Sequence, residues 1–178
     1  MVATKKSDRS LLEAFAEGNE EAFKLFFQRY ENGLFSYIYA ITGNDTSAAD
    51  VIHQVFFNVY QKADRYLAAR NIKSYLYRSA RNAALRHAAN LQRERAQLQD
   101  YSEYQFFMQP GGSGFSNEDL EKLNETLARI PQPQREVIIL KTYHDLTFSE
   151  IAGILNESPK TIQSRYGLGI RKLREKLT

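Results

Sequence analysis

"IAGILNESPKTIQSRYGLGIRKL", Ile151–Leu173, sets two apolar helical stretches on either side of only three polar residues, Asn156, Glu157 and Ser158. Ordinary helix hairpins allow longer joints. Asn tolerates the left-handed backbone that a sharp turn needs, Ser158 suits an N-cap, and Pro159 fits a first helical position. Upstream, Thr147 and Glu150 form a Thr-x-x-Glu capping box for a short helix ending at Leu155. On the last helix Ile162, Tyr166, Ile170, Leu173 and Leu177 fall within about 80° of one another at 100° per residue, so one side is buried. Lys160, Thr161, Gln163, Ser164, Arg165 and Leu168 are left facing out. A helix-turn-helix requires this arrangement: the first helix supports, the tight turn fixes the angle, and the second enters the major groove of DNA. Arg165 suits O6 and N7 of guanine, Thr161 and Leu168 suit thymine methyls, and Lys160, Arg171 and Lys172 suit phosphates. The competing reading is a plain helical hairpin with a solvated basic face.

Helical periodicity continues through nearly all of the chain, with no segment of strand-like alternation. Asn19 followed by Glu20 and Glu21 predicts a helix start, and Phe23, Phe26, Phe27, Tyr30, Leu34, Tyr37, Ile38 and Ile41 recur at helical spacing until Gly43. Ser47 with Asp50 reads as a variant capping box for the next stripe, Ala48, Val51, Ile52, Val55, Phe56 and Val59. After a loop, "DRYLAARN", a third helix begins near Asn71 or Ile72. It turns Ile72, Leu76, Ala80 and Ala83 inward and places Arg78, Arg81, Asn82 and Arg86 opposite. From about Leu98 to Asn117 the pattern fails around Pro110 and three glycines, which reads as a flexible linker. Ser116 and Asp119 then cap a helix through Leu120, Leu123, Leu127 and Ile130, and Pro131 and Pro133 separate it from "QREVIILKTYHD". The expected fold is all-α, two small helical domains (residues 1–97 and 118–178) joined by a linker over 98–117, with the helix-turn-helix in the second.

Charge is segregated along the chain. The net formal charge of +3 divides into −3 over residues 1–60, +7 over 61–95, −6 over 96–158 and +5 over 159–178. Two basic blocks on separate helices point to two contacts with a polyanion, and the mild total argues against a general DNA coater. The chain has no cysteine, and its three histidines, His53, His87 and His144, show no ligand spacing, so no metal or cofactor is expected. No aliphatic run exceeds Val137–Leu140, and no apolar signal segment opens the sequence, so no membrane insertion and a cytoplasmic location are expected. No nucleophile–base pair or phosphate loop suggests an enzyme; the Gly-x-Gly at Gly167 and Gly169 follows no strand.

Three blocks, "EEAFKLFFQRYENGLFSYIYAITGNDTSAADVIHQVFFNVYQ", "IKSYLYRSARNAALRH" and "LEKLNETLARIPQPQREVIILKTYHDLTFSEIAGILNESPKTIQSRYGLGIRKLREKL", together resemble the extracytoplasmic-function sigma factors of bacterial RNA polymerase. Their order makes the resemblance specific. It implies that the first domain, region 2, binds the polymerase clamp coiled coil through Asp50, His53 and Gln54 and opens the minus-ten promoter element. Tyr66, Asn71 and Asn82 match the base-capturing positions, Tyr66 and Tyr75 are candidate stacking aromatics, and Lys73, Arg78, Arg81 and Arg86 would hold the backbone. The second domain, region 4, would read the minus-thirty-five element as duplex through Lys160, Thr161, Gln163, Ser164, Arg165, Leu168, Arg171 and Lys172, and meet the polymerase flap. An anti-sigma factor is an expected partner. Departures from the pattern are the absence of tryptophan, with Tyr60 and Tyr75 in its place, Ala49 and Gln54 where acidic residues are favoured, and Gly167 and Gly169 where basic residues are common. Two rivals remain at this level: a conventional helix-turn-helix regulator, and a helical adaptor that binds only protein.

Overall fold

Ser7 starts the first helix of the computed structural model, which describes residues 6–97, 125–127 and 129–177; of 95–97 and 176–177 it describes only the backbone. The Ser7 hydroxyl accepts from the Ser10 amide and opens α1 (Asp8–Ala16), an element that the periodicity did not reveal. Asn19 caps α2 (Glu20–Thr42) as expected, and Gly43, with φ 76°, ends it. The third helix departs from the sequence reading. α3 spans Asp45–Gln61 and is capped by Asn44, whose Oδ1 accepts from the Ser47 amide at 2.8 Å; Ser47 is inside the helix and buried. The supposed loop contains a further short helix, α4 (Ala63–Leu67), before α5 (Ile72–Gln97) begins at its Asn71 cap.

In the second domain α6 covers Gln132–Thr142, α7 Phe148–Leu155 and α8 Pro159–Leu177. The capping box is formed in both directions, with the Glu150 amide donating to Thr147 Oγ1 at 3.2 Å and the Thr147 amide donating to Glu150 Oε2 at 2.8 Å. Asn156 takes the left-handed conformation, φ 55° and ψ 48°, and Ser158 Oγ accepts from the Thr161 amide at 3.1 Å. The turn thus has the chemistry its residues announced. The expected linker and the capping pair Ser116 and Asp119 lie outside the described residues, as does the side chain of Leu177.

All regular structure among the described residues is helical. Phe26, Leu34, Tyr37 and Ile38 of α2 pack with Val51, Val55 and Val59 of α3, over the small side chains Ala80 and Ala84 of α5. Val137–Leu140 of α6, Leu146, Ile151, Ile154 and Ile162 fill the second domain, and the buried side chains of the two domains form one continuous cluster. The joint runs along α5, which lies against α7.

The two glycines of α8 have different roles. A Cβ on Gly169 would stand 2.7 Å from Ile138 Cδ1 and 3.3 Å from Gln134 Cβ, whereas nothing lies within 4 Å of one on Gly167. Gly169 therefore permits α8 to approach α6. Gly167→Ala should stabilise the chain by about 1 kcal/mol through helix propensity. Gly169→Ala should destabilise it by about 1 kcal/mol net, because an overpacking cost of about 1–3 kcal/mol exceeds the same propensity gain. Urea unfolding of the two variants checks the opposite signs.

Candidate nucleic-acid interface

The first basic surface is built where α4 and its following turn meet the outward side of α5. Asn71 closes the turn by accepting from the Ser74 amide at 2.8 Å, so the side chain expected to capture a base is also the helix cap. Arg9 of α1 donates to the Ala69 carbonyl at 3.3 Å, and α1 is itself tied to α2 by Asp8, which accepts from Arg29 at 2.5 Å and from the Tyr30 hydroxyl. The turn is thus braced from the N-terminal side.

Two cavities share Arg65 and Tyr75 on this surface. One, of about 690 Å³, is lined by Arg70, Asn71 and Arg78 and closed by Ser149, Glu150 and Gly153 of α7. The other, of about 300 Å³, lies over Asn82 and Arg86 and is bordered by Lys62 and Ser79. Between them, Tyr75 packs against Tyr66 at 85° with centroids 5.0 Å apart, and the Arg78 guanidinium sits 5.5 Å from its ring centre. Cations around an aromatic ring and an amide are the parts needed to hold an unstacked nucleotide: backbone charge neutralisation, stacking, and hydrogen bonding to a base edge.

Two expected contacts need correction. Tyr66 is buried, and burial raises its hydroxyl's pKa; it borders the smaller cavity with little of its ring exposed, chiefly as a support for Tyr75. Arg81 does not line either cavity. It turns toward the second domain, where its Nε donates to Glu136 Oε1 at 2.7 Å and its Nη2 to Oε2 at 3.1 Å. Lys73 is half-buried on the same side of α5, near enough to His144 for its charge to assist burial in lowering that imidazole's pKa to about 4. Asn82 and Arg86 remain beside Tyr75 as expected.

The second basic surface is α8. Lys160, Gln163, Ser164, Leu168 and Arg171 are exposed there, and Thr161, Arg165 and Lys172 are half-buried. Arg165 Nη2 donates to Glu157 Oε1 at 2.7 Å, a pairing across the tight turn that the sequence reading did not include. The Thr161 hydroxyl shares a hydrogen with Ser158 at 2.8 Å.

A third surface is the outward side of α3. Asp50, His53 and Gln54 are all exposed on it. Phe57, 62% exposed, and Tyr60, whose hydroxyl donates to Glu20, continue the same face. The sequence reading passed over Phe57; its signal was an aromatic residue lying outside the buried stripe on an otherwise regular helix.

Among the described residues no helix is long and apolar enough to cross a membrane. A family model described as sigma-70 region 2 matches residues 26–94, and one described as sigma-70 region 4 matches residues 120–173. The chain is 25% identical over 171 residues to the ECF RNA polymerase sigma factor SigW of Bacillus subtilis, covering 90% of this chain and 91% of that one. It is 28% identical over 171 residues to the ECF RNA polymerase sigma-E factor of Escherichia coli, covering 89% and 88%. Its fold is similar to that of CnrH, solved in complex with the cytosolic domain of CnrY, with a TM-score of 0.70, 24% identity and 97% of each chain covered. It is also similar to the sigma factor RpoE of Bartonella quintana, solved with the anti-sigma factor NepR, with a TM-score of 0.72, 21% identity, and 87% of this chain and 96% of that one covered.

Proposed function

This chain belongs to the sigma-70 family as an extracytoplasmic-function sigma factor of RNA polymerase, and from that membership we propose how its surfaces divide the work of promoter-specific initiation. Residues 1–97 act as region 2 and residues 118–178 as region 4, with 98–117 between them. The α3 face, Asp50, His53 and Gln54 extended by Phe57, docks on the clamp coiled coil of core polymerase. An exposed aromatic within a polar rim is the composition of an interface hot spot. Region 4 meets the flap.

At the minus-ten element, Tyr75 stacks a base freed from the duplex while Asn82 hydrogen-bonds its edge; Arg78 and Arg86 hold phosphates beside the Asn71 turn. At the minus-thirty-five element α8 enters the major groove with Arg165 and Leu168 at the bases and Lys160, Arg171 and Lys172 along the backbone. The family's members are non-enzymatic, and these roles need only binding energy. Two proteins of like fold were solved in complex with a second protein, one of them described as an anti-sigma factor, and an anti-sigma partner is proposed here too.

The observation that best supports this reading is the grouping of Tyr75, Arg78, Asn82 and Arg86 of α5 along two adjoining cavities, apart from the exposed residues of α8. A duplex-only regulator has no use for a second, base-sized basic site, and a protein-only adaptor has none for either. Transcription with purified core polymerase tests it. Asn82→Ala should reduce permanganate-reactive open complexes about tenfold or more, taking a single buried base-edge hydrogen bond at 1–3 kcal/mol, with little change in duplex binding. Normal open complexes in that variant would remove Asn82 from the reading.

A further inference from the structure

The turn that walls the larger cavity is not self-supporting. Ala68, Ala69, Arg70 and Asn71 all line that cavity, and they follow α4, a helix of only five residues. So short a helix is marginal by itself, and its last carbonyls have no partner within it. Burial of Ala63 and Tyr66 seats α4, and the Ala68 and Ala69 amides donate back to the Asp64 and Tyr66 carbonyls at 2.9 and 3.1 Å. Asn71 fixes the far end of the turn as the cap of α5. Between these two ends, the Ala69 carbonyl is held from outside, by the Arg9 guanidinium of α1 at 3.3 Å.

α1 is a firm base for that contact. Leu11 and Leu12 are buried in the core, and α1 lies against α2, α4 and α5. Asp8 accepts from Arg29 Nη1 and from the Tyr30 hydroxyl, and Arg29 Nη2 donates to the Lys6 carbonyl at 2.7 Å. With Asp8 pinned to α2, the next residue is turned about 100° around the helix, which carries Arg9 to the end of α4. A cation at that end is favoured twice, by the hydrogen bond to a carbonyl and by the helix dipole. Arg9 is itself exposed, so it matters to the turn far more than to the core.

We propose that Arg9 is a positioning residue for the minus-ten step: from behind the 68–71 turn it holds the wall against which the separated strand is captured, without touching that strand. α1 thereby enters the promoter-opening machinery although it bears none of the residues that meet DNA. The functional half rests on the assignment of this turn to the minus-ten element; the brace itself does not.

Two full-length variants test it: Arg9→Met removes the donor and the charge, and Arg9→Lys keeps both. In the free chain, amide hydrogen exchange at Ala68 and Ala69 should speed up about three- to tenfold in Arg9→Met, the effect of losing one hydrogen bond, while exchange within α2 stays parental. In reconstituted initiation with core polymerase, permanganate-reactive open complexes should fall by a similar factor, the same at every salt concentration. Discrimination by Arg165 at the minus-thirty-five element should be unchanged. Arg9→Lys should return both readings to within about twofold of the parent. Parental exchange in Arg9→Met would overturn the brace. Faster exchange with undiminished open complexes would overturn the positioning role. A loss that shrinks as salt rises, with the slope against salt reduced by about one, would make Arg9 a phosphate contact and overturn the proposal. Should the minus-ten assignment fail through Asn82→Ala, the exchange measurement still decides the brace, so the two readings fail separately.

Discussion

Arg81→Met is expected to divide the unfolding of the free chain into two transitions, with the coupling between domains weakened by up to about 3–5 kcal/mol, the usual loss when one member of a buried pair is removed. The arginine is only partly covered, but its partner Glu136 is almost wholly so. Without the guanidinium, the Tyr37 hydroxyl and the Gln132 amide are left to compensate a full negative charge. The chain has an alternative to unfolding, which is to swing Glu136 into water by parting the domains. The measured loss therefore saturates at the free energy that holds the domains together. Urea unfolding followed separately by domain-specific amide signals reads that limit. Adding Glu136→Gln to Arg81→Met should restore most of the lost coupling, since an amide buried beside Tyr37 needs no counter-charge, and the interaction energy of the pair should be about 3 kcal/mol. A single transition at the parental midpoint in Arg81→Met would show that the pair does not hold the joint.

Arg81 also marks how far the sequence can be read. A helical projection separates polar from apolar positions, and it correctly set Arg81 apart from Leu76 and Ala80. It has no means of telling water from a carboxylate 55 residues away. The hint was in α6, where Val137–Leu140 are buried without a break; a helix covered on all sides forces its neighbouring Glu136 indoors as well. The tight turn was fully legible because each of its determinants is local: Thr147 caps against Glu150 three residues on, and Asn156, Ser158 and Pro159 fall within four successive positions. The start of α3 was misread for a tertiary reason. Ser47 and Asp50 look like a capping box, but the buried Ser47 belongs to the helix body and Asn44 supplies the cap. α4 escaped because five residues are too few to show a period. The candidate site divides in the same way: Asn82, Arg86 and the α8 residues fall where periodicity put them, whereas the burial of Tyr66 depends on its packing against α5.

Arg165→Ala should remove about 1–3 kcal/mol of discrimination at a single minus-thirty-five base pair, the value of a bidentate guanine contact, with much smaller effects at its neighbours. Stability should barely change, because the Arg165–Glu157 pair is partly exposed and such pairs contribute about 0–1 kcal/mol. On the proposed reading the pair acts in binding: Glu157 would hold the guanidinium at the mouth of the turn before DNA arrives, so less side-chain freedom would be lost on docking. That orientation has a cost, since the carboxylate also faces the incoming phosphates. Glu157→Gln should consequently strengthen binding to every duplex at low salt while narrowing the preference at the Arg165 base pair. Lys160→Ala should do something different again, weakening all duplexes alike and reducing the slope of affinity against salt by about one. Competition between duplexes altered one base pair at a time, at two salt concentrations, separates the three behaviours. Equal losses across all sequences for Arg165→Ala would place this arginine on the backbone and leave Glu157 with no part in specificity.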